Sequence, residues 1–245
     1  MILKTFILLM ILNNSWINPI QEFSYFLFSV KDNQINQGTG FFIEKDNQTY
    51  LVTASHNFFQ DKFATQKTAD FFYIRLHNNL TNKIDFLQIN NNPISKSEKS
   101  KNLDINFYKV DIAKQYDLKI VKIQPNCLPT KIICYGFGVV DGNEDNPDLY
   151  VESLKPTEFK GNLKFEYNKP LRYFETNELD FDNYVVSYES GTLTRGTSGS
   201  PVFTNYSENG VIKSEFAGLI HLRNEQTKLA TILRPEIIAE LIDEL

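Results

Sequence analysis

The sequence predicts an all-β protein, built as two antiparallel six-stranded β-barrels and ended by one C-terminal α-helix. Three observations predict it. Short runs rich in aromatic and β-branched residues recur along the chain, separated by segments of turn composition. They fall into two sets of six or so, divided by a calmer connecting stretch at residues 113–129. The chain then ends in a short amphipathic segment. That many short strands in two sets points to two barrels rather than one sandwich.

The first set runs "FSYFLFSV", "GTGFFIEK", "TYLVTASH", "DFFYIRLH", "KIDFLQI" and "INFYKVDI", each of strand length. Between them lie "KDNQINQ", "EKDNQ", "NNLTN" and "NNNPISKSEKSKN", which have turn or loop composition. The second set runs "KIICYGFGVV", "DLYVESLKPTEF", "NLKFEYNKP", "NYVVSYES", "SPVF" and "SEFAGLIHL". In "RPEIIAELIDEL", Pro235 suits a first helical turn and Glu236 complements the positive end of the helix dipole. Ile237, Ile238, Leu241 and Leu245 share one face of that helix. The expected organisation is therefore an N-terminal extension at 1–21, a first barrel at 22–115, a linker at 116–130, and a second barrel with the helix at 131–245.

Composition narrows the function classes. The 245 residues include 42% hydrophobic and 22% charged residues, enough to bury a core of ordinary size. The net charge is −5 and no Lys/Arg cluster is dense enough for a nucleic-acid footprint; the most basic run, "KSEKSKN", reads as a solvated loop. Two cysteines, Cys127 and Cys134, are too few for a disulfide scaffold and lack the second pair that zinc needs. Cys134 reads as a buried thiol, and a bridge to Cys127 stays open. No metal and no cofactor is expected. At the N-terminus, Lys4 precedes an apolar run and then Asn13, Asn14 and Ser15, the outline of a secretory signal peptide. The run is too short for stable membrane insertion. Export to the periplasm or outside the cell is the expectation. The alternative is a cytoplasmic protein whose hydrophobic N-terminus packs on the domain.

Three residues carry chemistry. His56 closes the strand-like run "LVTASH", where a buried strand meets a loop and an imidazole can be held in one orientation. Asp104 stands at a similar margin in "KNLDINFYKV". Ser198 lies between Gly196 and Gly199 in "RGTSGSPVF". Two glycines around one serine point to a tight loop that exposes a hydroxyl, although a plain Gly/Ser turn has the same composition. A serine hydroxyl becomes a nucleophile when an imidazole can take its proton. A carboxylate on the far ring nitrogen fixes the tautomer and stabilises the imidazolium.

These stretches together resemble the chymotrypsin-fold, or trypsin-like, serine peptidases. "GTGFFI" followed by "YLVTASH" is similar to the paired strands that lead into that family's histidine. "LDINFYKV" is similar to its aspartate strand, and "GTSGSPVF" to its nucleophile loop. The order His, Asp, Ser is that of this family, and the resemblance covers about residues 23–245. It implies Ser198 as nucleophile, His56 as general base and then acid, and Asp104 as orienting carboxylate, with Asp111 as the other carboxylate in that strand region. It also implies an oxyanion hole from the backbone N–H groups of Gly196 and Ser198.

Departures from the family pattern carry their own expectations. Thr197 occupies the position where digestive members have an aspartate that receives a freed N-terminal amine, so that route of activation is not expected. The G-x-S-G-S-P ending is closest in style to bacterial members, including glutamyl endopeptidases and the stress-protease group. Thr192, six residues before the nucleophile, stands at the floor of the specificity pocket and is neutral. Arg195, His221 and Arg223 complete the expected substrate-binding set, with His221 equally readable as a satisfied structural histidine. His77, in "RLHNNL", reads as a solvated loop-edge residue. The expected partner is a protein or peptide substrate, cleaved through an acyl-enzyme. Two other readings stay open: a catalytically silent trypsin-like fold that binds, and a restricted regulatory protease with one protein partner.

Overall fold

The computed structural model describes residues 19–31, 34–59, 66–89, 92–94, 103–124, 131–138, 157–164, 183–190, 196–208, 211–224 and 228–245. The leader reading on residues 1–18, the "KSEKSKN" run and Cys127 lie outside them. Six strands form the first antiparallel sheet: β1 (Tyr25–Lys31), β2 (Gln34–Lys45), β3 (Gln48–Thr53), β4 (Phe72–Asn78), β5 (Lys83–Ile89) and β6 (Asn106–Val110). Their order is β5-β4-β1-β2-β3-β6. Six more close into a barrel: β7 (Lys131–Gly136), β8 (Thr157–Lys164), β9 (Asn183–Ser190), β10 (Pro201–Glu208), β11 (Val211–Asn224) and β12 (Leu229–Leu233). The order there is β10-β11-β12-β9-β8-β7, closed by pairing of β10 with β7. Helix α1 (Pro235–Asp243) follows.

The expected all-β class with a terminal helix is thus the observed one, with one refinement. All six strands of the first sheet contribute to a single core, through Leu27, Phe42, Leu51, Phe72, Ile89 and Tyr108. The sheet is wrapped around that core, but among the described residues no ladder joins β5 to β6. Leu87 and Ile89 of β5 instead face Val110, Asp111 and Ile112 across a cavity along this seam.

Strand lengths differ from the sequence reading in three places. Strand β2 begins at Gln34, inside a stretch that reads as a turn, because "QINQ" pairs with the outer half of β1. Strand β8 spans two runs that read as separate, with buried Gly161 at a shift in its register against β9. Strand β12, "LATIL", is absent from the sequence reading. Five residues are enough when β11 and β9 flank them on both sides.

The two units meet through a shared core that fixes where the site lies. Alternation along β2 sends Phe42 into the first unit and Phe41 and Ile43 into the interface. In β7, Ile132 and Cys134 face the second barrel while Ile133 and Tyr135 face the interface. Phe203, Phe216, Leu219 and Leu233 meet them there, joined by Ile238 and Leu241 of α1. Each such side chain stabilises the fold by roughly 1.5–3 kcal/mol on full burial. Ile20, in a short 3-10 helix at Pro19–Phe23, is buried in the same core. A boundary after residue 21 therefore falls inside a packed element. Helix α1 starts at Pro235 after the extended Arg234, and Lys45 donates from β2 to the Ile242 carbonyl at its far end.

Candidate active site

The pairing of β3 with β6 brings the first two candidates together. Thr53, at the end of β3, sits opposite Asn106, at the start of β6. His56 comes three residues after the one and Asp104 two before the other, so both occupy the same end of the strand pair. The chain turns through a 3-10 helix at Ser55–Asn57, which carries His56. The main-chain N–H of Ser55 donates to the Asp104 carbonyl (3.3 Å), and that of His56 donates to Asp104 Oδ1 (3.1 Å). The other carboxylate oxygen, Oδ2, lies 2.6 Å from His56 Nδ1. With Nδ1–H donating to the carboxylate, Nε2 is left as the ring's proton acceptor. His56 keeps 36% of its side-chain surface exposed, whereas Asp104 keeps 9%. Asp111, the other carboxylate considered, is exposed beside the seam cavity.

Asp104 has a second imidazole beside it. His221 Nδ1 lies 3.7 Å from Asp104 Oδ2, an electrostatic contact too long for a hydrogen bond. Burial alone would push the Asp104 carboxyl pKa up. The interactions with His221 and His56 outweigh that and hold it well below the usual carboxylate range. The 2.6 Å bond from His56 is the direct one.

Ser198 lies in a turn that both units hold in place. Gly196 and Gly199 have φ of 92° and 89°, a region that side-chain-bearing residues rarely adopt. A Cβ on Gly199 would also collide with the Thr39 carbonyl, and one on Gly196 would lie 2.5 Å from the Phe137 carbonyl. From the first unit, the Thr39 N–H donates to the Ser198 carbonyl (3.1 Å) and the Thr39 hydroxyl to the Gly196 carbonyl (2.8 Å). Asn57 Nδ2 also donates to the Ser198 carbonyl, at 2.8 Å. From the second, the Gly199 N–H donates to the Ile220 carbonyl (2.8 Å), and the Ile220 N–H to the Ser200 carbonyl (3.2 Å). The Ser198 hydroxyl donates to the main-chain carbonyl of His221 (3.2 Å).

No protein-family model and no curated protein sequence matches the chain. Solved structures do. A serine endoprotease from Yersinia pestis superposes with TM-score 0.57 at 12% identity, covering 93% of this chain, which spans 64% of that longer one. A thermostable serine protease, AL20, from an extremophilic microorganism gives TM-score 0.57 at 11% identity, covering 90% of this chain and 94% of that one. An inactivated protease paralogue of the scabies mite gives 0.58 at 11%, covering 91% of each chain. The chain has the chymotrypsin fold. The fold hosts both proteases and an inactivated paralogue, so function has to be argued from the site.

His56 and Asp104 are paired directly, and Ser198 is joined to them through their neighbours: Asn57 donates to its carbonyl, and the carbonyl of His221, whose ring faces Asp104, accepts its hydroxyl. His221 is buried, with Nε2 against Asn183 Oδ1 and Nδ1 toward Asp104. That placement favours the structural-histidine reading over a pocket-lining one. Thr192 and Arg195 lie outside the described residues, and Arg223 lies in β11 opposite Ala230. His77 is exposed near the end of β4, with Asn79 and Asn82 side chains on its two ring nitrogens. Cys134 is a buried free thiol whose pKa burial pushes far up, so it is chemically quiet. Asn57, Thr39 and Asn183 are site residues that the sequence reading missed. The only local signal was an Asn directly after the histidine.

Proposed function

We propose that the protein is a serine endopeptidase that hydrolyses peptide bonds of a protein or peptide substrate through an acyl-enzyme on Ser198. The observation that carries this reading is the His56–Asp104 pair. One carboxylate oxygen holds the His56 main chain and the other its ring, at the interface where both units clamp the Ser198 loop. In the first step His56 Nε2 takes the hydroxyl proton as Ser198 Oγ bonds to the scissile carbonyl carbon. Asp104 stabilises the imidazolium that results. Backbone N–H groups of Gly196 and Ser198 receive the oxyanion. Collapse of the tetrahedral intermediate breaks the C–N bond, and His56 gives its proton to the leaving amine. Water, activated by the same ring, then releases the acyl group and restores the hydroxyl.

The neutral Thr192 at the expected pocket floor supports a P1 preference other than Lys or Arg. The leader-like outline of the first residues supports export. A catalytically silent binding module is the second reading. It is favoured by one observation, the Ser198 hydroxyl bonded to the His221 carbonyl. Reaction with a fluorophosphonate separates the two. Phosphonylation of the wild type and none of Ser198→Ala supports the peptidase, and an unreactive wild type supports the silent fold. Labelling without hydrolysis of bulk casein marks a restricted regulatory protease.

A further inference from the structure

A second histidine on the same carboxylate is a feature that the three-residue mechanism does not use. Strand β11 pairs with β12 through Ile220↔Ile232 and then Leu222↔Thr231, so His221 is the extra residue of a β-bulge. A bulge breaks the in-and-out alternation of a strand and re-aims the side chain at that point. Here the ring turns inward, and only 8% of the side-chain surface stays exposed. Its Nε2 meets the Oδ1 of Asn183, the first residue of β9, and its Nδ1 faces Asp104 Oδ2 at 3.7 Å. That Nδ1 is a buried polar atom with no hydrogen-bond partner among the described residues. A bare nitrogen lone pair facing a buried carboxylate would be costly, so a proton on Nδ1 is the arrangement that relieves both groups; Nε2 then accepts from the Asn183 side-chain amide, turned by half a rotation so that its Nδ2–H faces the ring. The bulge acts on the other side as well. The main-chain carbonyl of His221 accepts the Ser198 hydroxyl, at 3.2 Å.

We infer that His221 is a positioning residue: clamped by Asn183, it directs Nδ1–H at Asp104 Oδ2 and holds the carboxylate square to the His56 ring. The inference rests on the acyl-transfer reading of the site. His221 touches no substrate in this role and acts through Asp104. It differs from a pocket role in a way that can be measured. A pocket residue alters which side chain is accepted at P1, whereas a positioning residue slows every acylating agent alike.

The test uses a fluorophosphonate with no P1 side chain. Ser198 Oγ displaces fluoride from phosphorus, and the hydroxyl proton passes to His56. With His221→Ala, the maximal rate of inactivation should fall roughly 10- to 100-fold while the half-saturating concentration stays the same. His221→Asn, whose Nδ2 stands in for Nδ1–H, should recover part of the rate. The low-field NMR resonance of the proton between His56 and Asp104 should shift or broaden in His221→Ala and return in His221→Asn. An unchanged inactivation rate together with an unchanged resonance overturns the inference. Should His221→Ala not fold, Asn183→Ala keeps the imidazole and removes its clamp. It should move both readouts in the same direction by less, and no movement overturns the inference equally. If the wild type itself is not phosphonylated, the acyl-transfer reading fails, and the resonance alone then decides the contact between His221 and Asp104.

Discussion

Asn57 donates its side-chain amide to the main-chain carbonyl of Ser198, so the residue next to the candidate base grips the loop of the candidate nucleophile. The same Nδ2 reaches Thr53 Oγ1 at 2.8 Å, and Gly38 leaves room for it where a Cβ would collide. Base and nucleophile come from different units, 141 residues apart in the case of Asn57 and Ser198. This amide is a direct link between them. Asn57→Ala should cost about 1–3 kcal/mol, because buried acceptors lose their donor. Fluorophosphonate reactivity should fall by roughly tenfold or more as the loop loses its register. Asn57→Asp should be worse on both counts, since a carboxylate would face the Ser198 carbonyl. Thermal denaturation beside labelling rates checks this. Full reactivity in Asn57→Ala would show that Thr39 and the Ile220 main chain set the loop without it.

The triad assignment predicts a pattern that single losses would not. Ser198→Ala, His56→Ala and Asp104→Asn should each leave a folded protein with peptidase activity down by roughly 10⁴-fold or more. Because the three act as one unit, a double variant should be little worse than the worse single. Wild-type turnover in Ser198→Ala would remove the nucleophile. Additive losses in the doubles would mean that the groups act separately.

Asp104 also sets a pH dependence of stability. Its pKa is held below the usual carboxylate range in the folded chain, while the unfolded chain titrates it near the ordinary value of about 4. The folded state therefore binds fewer protons at this group. Its stabilising contribution is fully present above about pH 4 and is lost as pH falls through the folded-state value. The thermal midpoint of the wild type should drop faster below pH 4 than that of Asp104→Asn, which cannot titrate there. Parallel curves for the two proteins would show that this carboxylate is not linked to folding.

Much of this fold can be read from the sequence because most strands carry a full complement of apolar residues. "GTGFFI" reads as a strand since Phe41 and Phe42 are both buried, one in each core. "LATIL" escapes because five residues before a proline carry little signal until β9 and β11 flank them. Gly161 splits β8 on paper because a glycine reads as a break, while the barrel uses it at a register shift. The chemistry of the site follows the same division. His56, Asp104 and Ser198 each carry a residue type and a strand-margin context that local reading can find. Asn57, Thr39 and Asn183 act on carbonyls or rings delivered by distant parts of the chain, and a single asparagine or threonine carries no signal of that by itself. The bulge at His221 is a further case, since one inserted residue reverses the face that alternation assigns.

The N-terminal segment gives a prediction about where the folded domain starts. Ile20 is 1% exposed and packs in the interface core, and the Ser24 hydroxyl donates to the Tyr135 carbonyl at 2.6 Å. A chain beginning at Pro19 keeps Ile20 in the interface core and should unfold cooperatively. One beginning at Phe23 leaves the interface core without Ile20. Ile20→Ala should cost about 2–5 kcal/mol, the range for emptying a core site of this size. Denaturant unfolding of the three proteins is the check. Equal midpoints would show that the 3-10 helix contributes nothing to the core.

Under the proposed peptidase reading, charge sets the expected specificity, with His221 assigned to Asp104 rather than to the pocket. A cationic P1 side chain needs a buried negative partner, and the expected floor residue, Thr192, has no charge to offer. Asp104 is the buried carboxylate of the site, and the His56 ring and main chain already hold it. Arg195 and Arg223, the remaining members of the expected substrate-binding set, would bias the local field toward acidic or neutral side chains. A library varied at P1 should therefore show cleavage after Lys or Arg well below that after Glu, Asp or small residues. If acidic residues lead, Arg195→Ala or Arg223→Ala should abolish the preference, while His221→Ala should slow all substrates together and leave their ranking intact. Dominant cleavage after Lys or Arg would overturn the charge argument. A ranking that changes in His221→Ala would return that histidine to the pocket.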